Sequence, residues 1–254
     1  MPDTSRRRMR EAVVQFLYAL GPADVLPDVP DPGVLSLLLE SAHDKSIKAR
    51  ARAVLHLQQG REKLVDGFPL LLQTLEQLSS SSESEEISQN LKSWILEEES
   101  LRNYLHGLRH ELNGNRDVKR LHESMEGARR SNRAALAAAA RFSSTEPPFP
   151  ALQQLHKDAL ILREQLAPMS ERLSLSLGDD LTVLPELKSV ERAEKDLAHT
   201  ASHIESYYHE LRPHLADIDE KLAVVIDNYS PERLNRVDRA ILRLGTYELL
   251  FDDN

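Results

Sequence analysis

The residues with the clearest chemical potential stand at the start of the chain: Arg6, Arg7, Arg8 and Arg10, directly before the run Glu11-Ala-Val-Val-Gln-Phe-Leu-Tyr-Ala-Leu20. Guanidinium groups at this density attract phosphate, which they grip through forked N–H donors. Projected at 100° per residue, Met9, Val13, Phe16, Leu17 and Leu20 form an apolar stripe, while Arg7, Arg8, Glu11, Gln15 and Tyr18 point to the other side. Tyr18 is therefore an aromatic ring held away from the core and close to arginines. The blander reading of the same run is a set of charges solubilising a terminus.

A second set of arginines lies near the other end, in the stretch Ile218 to Phe251. Ile218, Leu222, Val225, Ile226 and Tyr229 recur on one side of a helix and predict a buried face. Ser230 as N-cap and Pro231 at the first helical position predict a fresh helix start. In that second helix Leu234, Val237, Ile241, Leu242, Leu244 and Leu249 fill one sector, with Arg236, Arg239 and Arg243 opposite it as a basic stripe. Pairing with acids such as Glu232 and a partner-facing role explain that stripe equally well. Asp238 projects towards the apolar sector, where an unpaired carboxylate is costly, so it is expected to be paired or at the rim.

Both stretches resemble the NusB family of transcription antitermination factors. The C-terminal match runs through Ile218-Asp219, Arg233-Leu234, Val237-Asp238, Ala240-Ile241-Leu242-Arg243 and Tyr247-Glu248-Leu249. The N-terminal match is Arg-Arg-Arg-x-Arg-Glu followed by Val-x-Gln-x-Leu-Tyr, similar to the family's first helix, whose arginine-rich start contacts boxA RNA.

Composition narrows the alternatives. Only 5% of residues are aromatic and nine are Gly, and the dominance of Leu, Ala, Glu, Arg and Lys predicts an all-α protein. The absence of Cys excludes disulfides, thiolate zinc sites and a cysteine nucleophile, and fits a reducing cytoplasm. No apolar run reaches the roughly 18 residues of a membrane span, and no signal-peptide core is present, so a cytoplasmic protein with no membrane partner is expected. A net charge of −9 argues against general nucleic-acid binding and confines any such site to a local basic patch.

Other constellations are weaker. His106 with His110 and His199 with His203 stand at i, i+4, and His209 with His214 one step further apart, but none has a third ligand, and the second pair lacks a zinc-protease glutamate. No serine elbow or glycine-rich phosphate loop is present, and Asp179-Asp180 and Asp252-Asp253 lie in polar turns. Neither catalytic residues, a metal nor a cofactor is expected. Arg129, Arg130 and Arg133, before the alanine tract Ala134 to Ala140, could touch phosphate, although a charged helix face is the commoner meaning of such a group.

Along the chain, the first helix stops at Gly21-Pro22, and a Pro- and Asp-rich connection follows to Pro32. Val34 to Ser41 reads as a short helix and Ser46 to about Leu78 as one or two longer ones with breaks at Gly60 and Pro69. Ser79 to Glu86 reads as an exposed acidic linker. Near-heptad apolar residues from Ile87 to Leu112, a turn at Asn113-Gly114 and a helix leading into the alanine tract predict an antiparallel hairpin. Leu152 to Leu166 is helical until Pro168, LSLSL after it alternates with period two, and a long segment from Pro185 is expected to break at Pro213.

The resemblance implies an all-α, NusB-like helical bundle with a large helical insertion: residues 1–21 as the N-terminal helix, 22–195 as the insertion and 196–254 as the C-terminal core. It implies a non-catalytic factor that binds boxA-type single-stranded RNA in ribosomal RNA leaders together with ribosomal protein NusE and the RNA polymerase elongation complex. Carried over, the RNA-binding residues are Arg6, Arg7, Arg8, Arg10, Gln15 and Tyr18, the last two suited to bonding and stacking on unpaired bases. Arg236, Asp238, Arg239 and Arg243 are the partner-binding candidates. The family continues past Tyr-Glu-Leu-Leu with two more helices, so the insertion replaces them, the chain is a fragment, or the last helix exposes Ile241, Leu244 and Leu249 as a sticky patch. The competing reading is a NusB-derived scaffold that binds protein partners without RNA.

Overall fold

A computed structural model describes residues 3–19, 28, 30–78, 84–114, 117–226 and 233–252. Every regular element among them is helical, as the composition predicts: α1 (Asp3–Ala19), α2 (Pro32–Leu57), α3 (Arg61–Val65), α4 (Phe68–Leu78), α5 (Glu85–Asn113), α6 (Val118–Ser144), α7 (Pro150–Ser176), α8 (Lys188–Leu211), α9 (Leu215–Val225) and α10 (Arg236–Leu250). The chain forms two compact units, one of residues 1–43 with 194–254 and the other of residues 44–193. Val34, Leu35, Leu38 and Leu39 of α2, within the stretch expected to form the insertion, pack against the core of the first unit.

In the first unit α1 contributes Ala12, Val13, Phe16 and Leu17 to a core completed by Ile204, Tyr207, Tyr208 and Leu211 of α8, Ile218 of α9, and Ala240, Leu244 and Tyr247 of α10. Phe16 meets Tyr208 edge-on at 5.3 Å and Tyr207 meets Tyr247 at 5.2 Å, geometries favoured by the aromatic quadrupole. Pro213 ends α8 as expected, through a 3₁₀ turn, Arg212–His214, that leads into α9. Val225 departs from its predicted burial: α9 stops there, Ile226 is extended, and Val225 is 82% exposed. Tyr229, Ser230 and Pro231 lie outside the described residues. The helix that follows begins later than predicted, at Arg236, with the Asn235 side chain accepting from the Val237 N–H at 3.1 Å, and Leu234 precedes it.

The second unit is built on the antiparallel hairpin of α5 and α6. Ser100 with Ser131, Tyr104 with Gly127 and Glu111 with Arg120 are successive rungs between the two helices. A methyl group at Gly127 would lie 2.2 Å from the Tyr104 ring, so only glycine admits this approach. Asp117 caps α6 by accepting from the N–H groups of Lys119 and Arg120. Trp94, Phe68 and Phe142 cluster at the core, and beside them Arg61 donates from Nε and Nη2 to Glu98 and from Nη1 to Gln58, the Arg61 and Glu98 side chains being 2% exposed.

Several local boundaries differ from the sequence pattern. α2 is continuous where a short helix and a gap were expected. α7 runs through Pro168 to Ser176, and the alternation of LSLSL is helical: Ser174 and Ser176 bond back to carbonyls within the same helix while Leu173 is buried. Hydroxyls that satisfy themselves locally can sit in a buried helix without disturbing its period. Of the acidic linker, residues 79–83 lie outside the described residues, and Glu85 and Glu86 open α5, where carboxylates favour the helix N-terminus.

Candidate nucleic-acid interface

Arg7, Glu11, Gln15 and Tyr18 recur at intervals of four, four and three, so they form one exposed line along α1. All four are exposed; Tyr18 retains 48% of its surface because the core takes its neighbours Phe16 and Leu17 instead. The Arg7 Nε donates to Glu11 at 2.9 Å, an exposed pair one turn apart that leaves the rest of the guanidinium to solvent. The side chains of Arg6 and Arg8 lie outside the described residues.

Arg10 sits differently. Its Nε and Nη2 donate to the two carboxylate oxygens of Glu248 at 2.6 and 2.8 Å, tying α1 to α10. That hydrogen bond and the charge of Glu248 raise the Arg10 pKa above its ordinary value. Nearby, burial and then the Glu248 charge push the Tyr207 phenol well above the usual tyrosine range. Arg10 is thus a partly exposed cation already engaged by a carboxylate.

Beside the α1 line is a half-open cavity of about 190 Å³. Glu11 and Gln15 of α1, Ser41 of α2 and Thr200 of α8 give it polar walls, and Leu38 and Ile204 give it an apolar floor. Periodicity could not reveal it, since the polar groups come from three helices distant in sequence.

The α10 arginines correct the sequence reading. Arg239 is 4% exposed and Arg243 is fully buried, whereas Val237, Ile241 and Leu249 are 42%, 54% and 85% exposed. The buried face therefore runs through Arg239, Ala240, Arg243, Leu244 and Tyr247, and two of the three arginines of the expected basic stripe, Arg239 and Arg243, are turned inward. The cause is Asp219 on α9: the Arg243 Nε donates to its Oδ1 at 2.9 Å and the Arg243 Nη2 to its Oδ2, so the two helices are clamped by a bidentate ion pair. A long aliphatic stem packs while its head is neutralised by a fixed carboxylate. Arg239 and Arg243 face the inside of the unit; Arg236 and Asp238 are exposed. Leu244 is buried at 6% exposure, as its place in the apolar sector predicts, so it is not part of an exposed patch with Ile241 and Leu249.

Among the described residues no cluster of three or more His, Cys, Asp or Glu could hold a metal. The His199 and His203 rings lie 4.0 Å apart, and His214 stacks on Phe251 at 4.2 Å. No helix among the described residues is long and apolar enough to cross a membrane.

Residues 175–254, which include α8, α9 and α10, match the NusB family. The chain is 38% identical over 72 residues to the transcription antitermination protein NusB of Pseudothermotoga lettingae, covering 26% of this chain and 51% of that protein. It is 54% identical over 41 residues to the NusB of Beutenbergia cavernae, covering 16% of this chain and 27% of that protein, and 44% identical over 54 residues to that of Persephonella marina, covering 21% and 38%. The chain thus spans about half the length, or less, of these curated relatives. No solved structure matches it. The helices that carry the Asp219–Arg243 clamp therefore lie within the region, residues 175–254, that is similar to the NusB family.

Proposed function

We propose that the chain is a non-catalytic transcription antitermination factor that binds boxA-type single-stranded RNA through the exposed line of α1, in concert with ribosomal protein NusE and RNA polymerase. The observation that carries this reading is the coincidence of a region similar to the NusB family with an exposed Arg7–Gln15–Tyr18 line that lacks any role in the core. Arg7 supplies phosphate attraction, together with Arg6 and Arg8 of the same run. The Gln15 amide has both a donor and an acceptor for a base edge, and the Tyr18 ring offers a face for stacking, worth about 1–3 kcal/mol per base. Arg10 serves mainly to hold α1 against α10, with its remaining donors turned to solvent. Arg236 and Asp238 are exposed charged residues of α10, available to a protein partner.

The test is binding of the purified chain to a short labelled boxA-type RNA across a salt series, with and without NusE, beside an Arg7→Ala/Tyr18→Ala variant. Salt-sensitive binding that the variant weakens supports the proposal. Absence of binding by folded protein under both conditions overturns it and favours the protein-scaffold reading.

A further inference from the structure

Outside the family match, α6 of the second unit carries a second run of arginines. The eighteen residues 127–144, GARRSNRAALAAAARFSS, hold four arginines and no acid, in a chain of net charge −9. Arg130, Arg133 and Arg141 are exposed on α6, and Arg129 is partly exposed. At 100° per residue all four point to the solvent side, opposite the buried line Ala128, Asn132, Ala135, Ala139 and Phe142. Arg163 of α7 borders the same region, where it lines a small cavity with Leu136 and Ala139. The positive surface thus spans two helices.

Elsewhere in this unit five arginines are matched to carboxylates, while Arg52 and Arg192 stand singly on the surface. Arg61 pairs with Glu98, Arg102 with Asp66, Arg109 with Glu62, Arg120 with Glu111 and Arg172 with Glu186. Among the described residues, Arg130, Arg133, Arg141 and Arg163 have no carboxylate within ion-pair distance, and Arg129 reaches Glu126 only at 3.8 Å. Glu97 and Glu99 of the neighbouring α5 make no such pair with them. Several arginines left uncompensated on one face produce a concentrated positive field, which isolated unpaired arginines do not.

We propose that this α6–α7 face is a second nucleic-acid surface that grips the phosphate backbone of RNA without reading its sequence. The inference rests on the proposal that the chain works on RNA, but not on α1 being the site. Chemistry favours a nucleic acid over an acidic protein. The residues between the arginines are Ala137 and Ala140, with Leu136 the one large apolar side chain and no exposed aromatic on α6, so the face lacks the desolvated anchors of a protein interface. It is instead strongly positive, as nucleic-acid surfaces are. The cations are all arginines, whose fork fits two phosphate oxygens at once.

The test compares a short boxA-type RNA with the same RNA extended by a uridine tract, measured by fluorescence anisotropy over a salt series on the full chain. The wild-type protein should bind the extended RNA at least about tenfold more tightly at low salt, and Arg130→Glu/Arg133→Glu should abolish that gain. Replacing both by Ala should flatten the slope of log affinity against log salt by about 1.4, since a single-strand contact contributes about 0.7. Arg130→Lys/Arg133→Lys should retain most of the gain. On wild-type protein, photo-cross-linking from thiouridines in the tract should label peptides spanning 130–141. If the arginine variants bind both RNAs with unchanged affinity and slope while Arg7→Ala/Tyr18→Ala weakens binding, this inference fails and the α1 proposal stands. If the folded wild-type chain binds neither RNA, both fall.

Discussion

Two arginine-bearing helices, α1 and α10, pose the same question and answer it in opposite ways. On α1, Arg7 stays in solvent and pairs only with its own neighbour Glu11. On α10, Arg243 is fully buried and clamped to Asp219. Neither residue type nor spacing separates the two. The difference is a carboxylate delivered by another helix: α9 presents Asp219 to α10, whereas nothing comparable is presented to Arg7 among the described residues. Arginine is thus core or surface according to what stands across from it, and an apolar-versus-charged projection of a single helix misses this.

The comparison breaks most directly at the clamp. Arg243→Ala should cost about 3–5 kcal/mol of unfolding free energy, because it strands Asp219 in a partly buried site. Chemical denaturation measures this, and a cost below about 1 kcal/mol would mean that α10 does not depend on the pair. Arg7→Ala, in contrast, should leave stability within about 0.5 kcal/mol of wild type.

The buried tyrosines extend the contrast to pH. Burial is the largest cause raising Tyr207, Tyr208 and Tyr247, with the Glu248 charge adding to the effect on Tyr207 and Glu210 on Tyr247. The folded protein therefore holds these protons after the unfolded chain has lost them at the ordinary value of about 10. Their contribution is complete below that pH and declines above it, so the denaturation midpoint should fall steeply on the alkaline side. Tyr207→Phe should reduce that fall; an unchanged alkaline limb would show that Tyr207 is not the group responsible.

For binding, Tyr18→Ala should weaken boxA-type RNA by about 1–3 kcal/mol if the ring stacks on a base. Its thermal midpoint should remain that of wild type, because Tyr18 is exposed. Arg10→Ala should behave differently from both neighbours: a small loss of stability, about 0.2–1 kcal/mol for a partly exposed pair, accompanied by any loss of affinity. Measuring both quantities on each variant separates a contact residue from one that positions α1.

Much of this contrast was legible in advance on α1, where Val13, Phe16 and Leu17 mark the buried side and Tyr18 falls outside it. The hairpin of α5 and α6 was legible for the same reason, since its apolar residues repeat over many turns and the turn residues Asn113-Gly114 punctuate them. Legibility failed where side chains are satisfied by distant partners. Asp219 and Arg243 are twenty-four residues apart on separate helices, and no local spacing announces their bond. Arg61 and Glu98 make the same point in the second unit. LSLSL failed for a local reason: serines that bond to their own helix mimic the alternation of a strand.

The smallest expected effect is also the sharpest check on which way α10 faces. The sequence pattern places Ile241 and Leu244 together in one buried sector, but Ile241 is 54% exposed and Leu244 only 6%. Leu244→Ala should therefore cost about 2–5 kcal/mol, as large-to-small changes in cores do. Ile241→Ala should stay within about 0.5 kcal/mol, since it vacates solvent rather than core and slightly improves helix propensity. Equal losses at the two positions in the purified chain would mean that the Ile241 face is covered in solution. A loss at Leu244 alone fixes the orientation in which Arg243 must point inward.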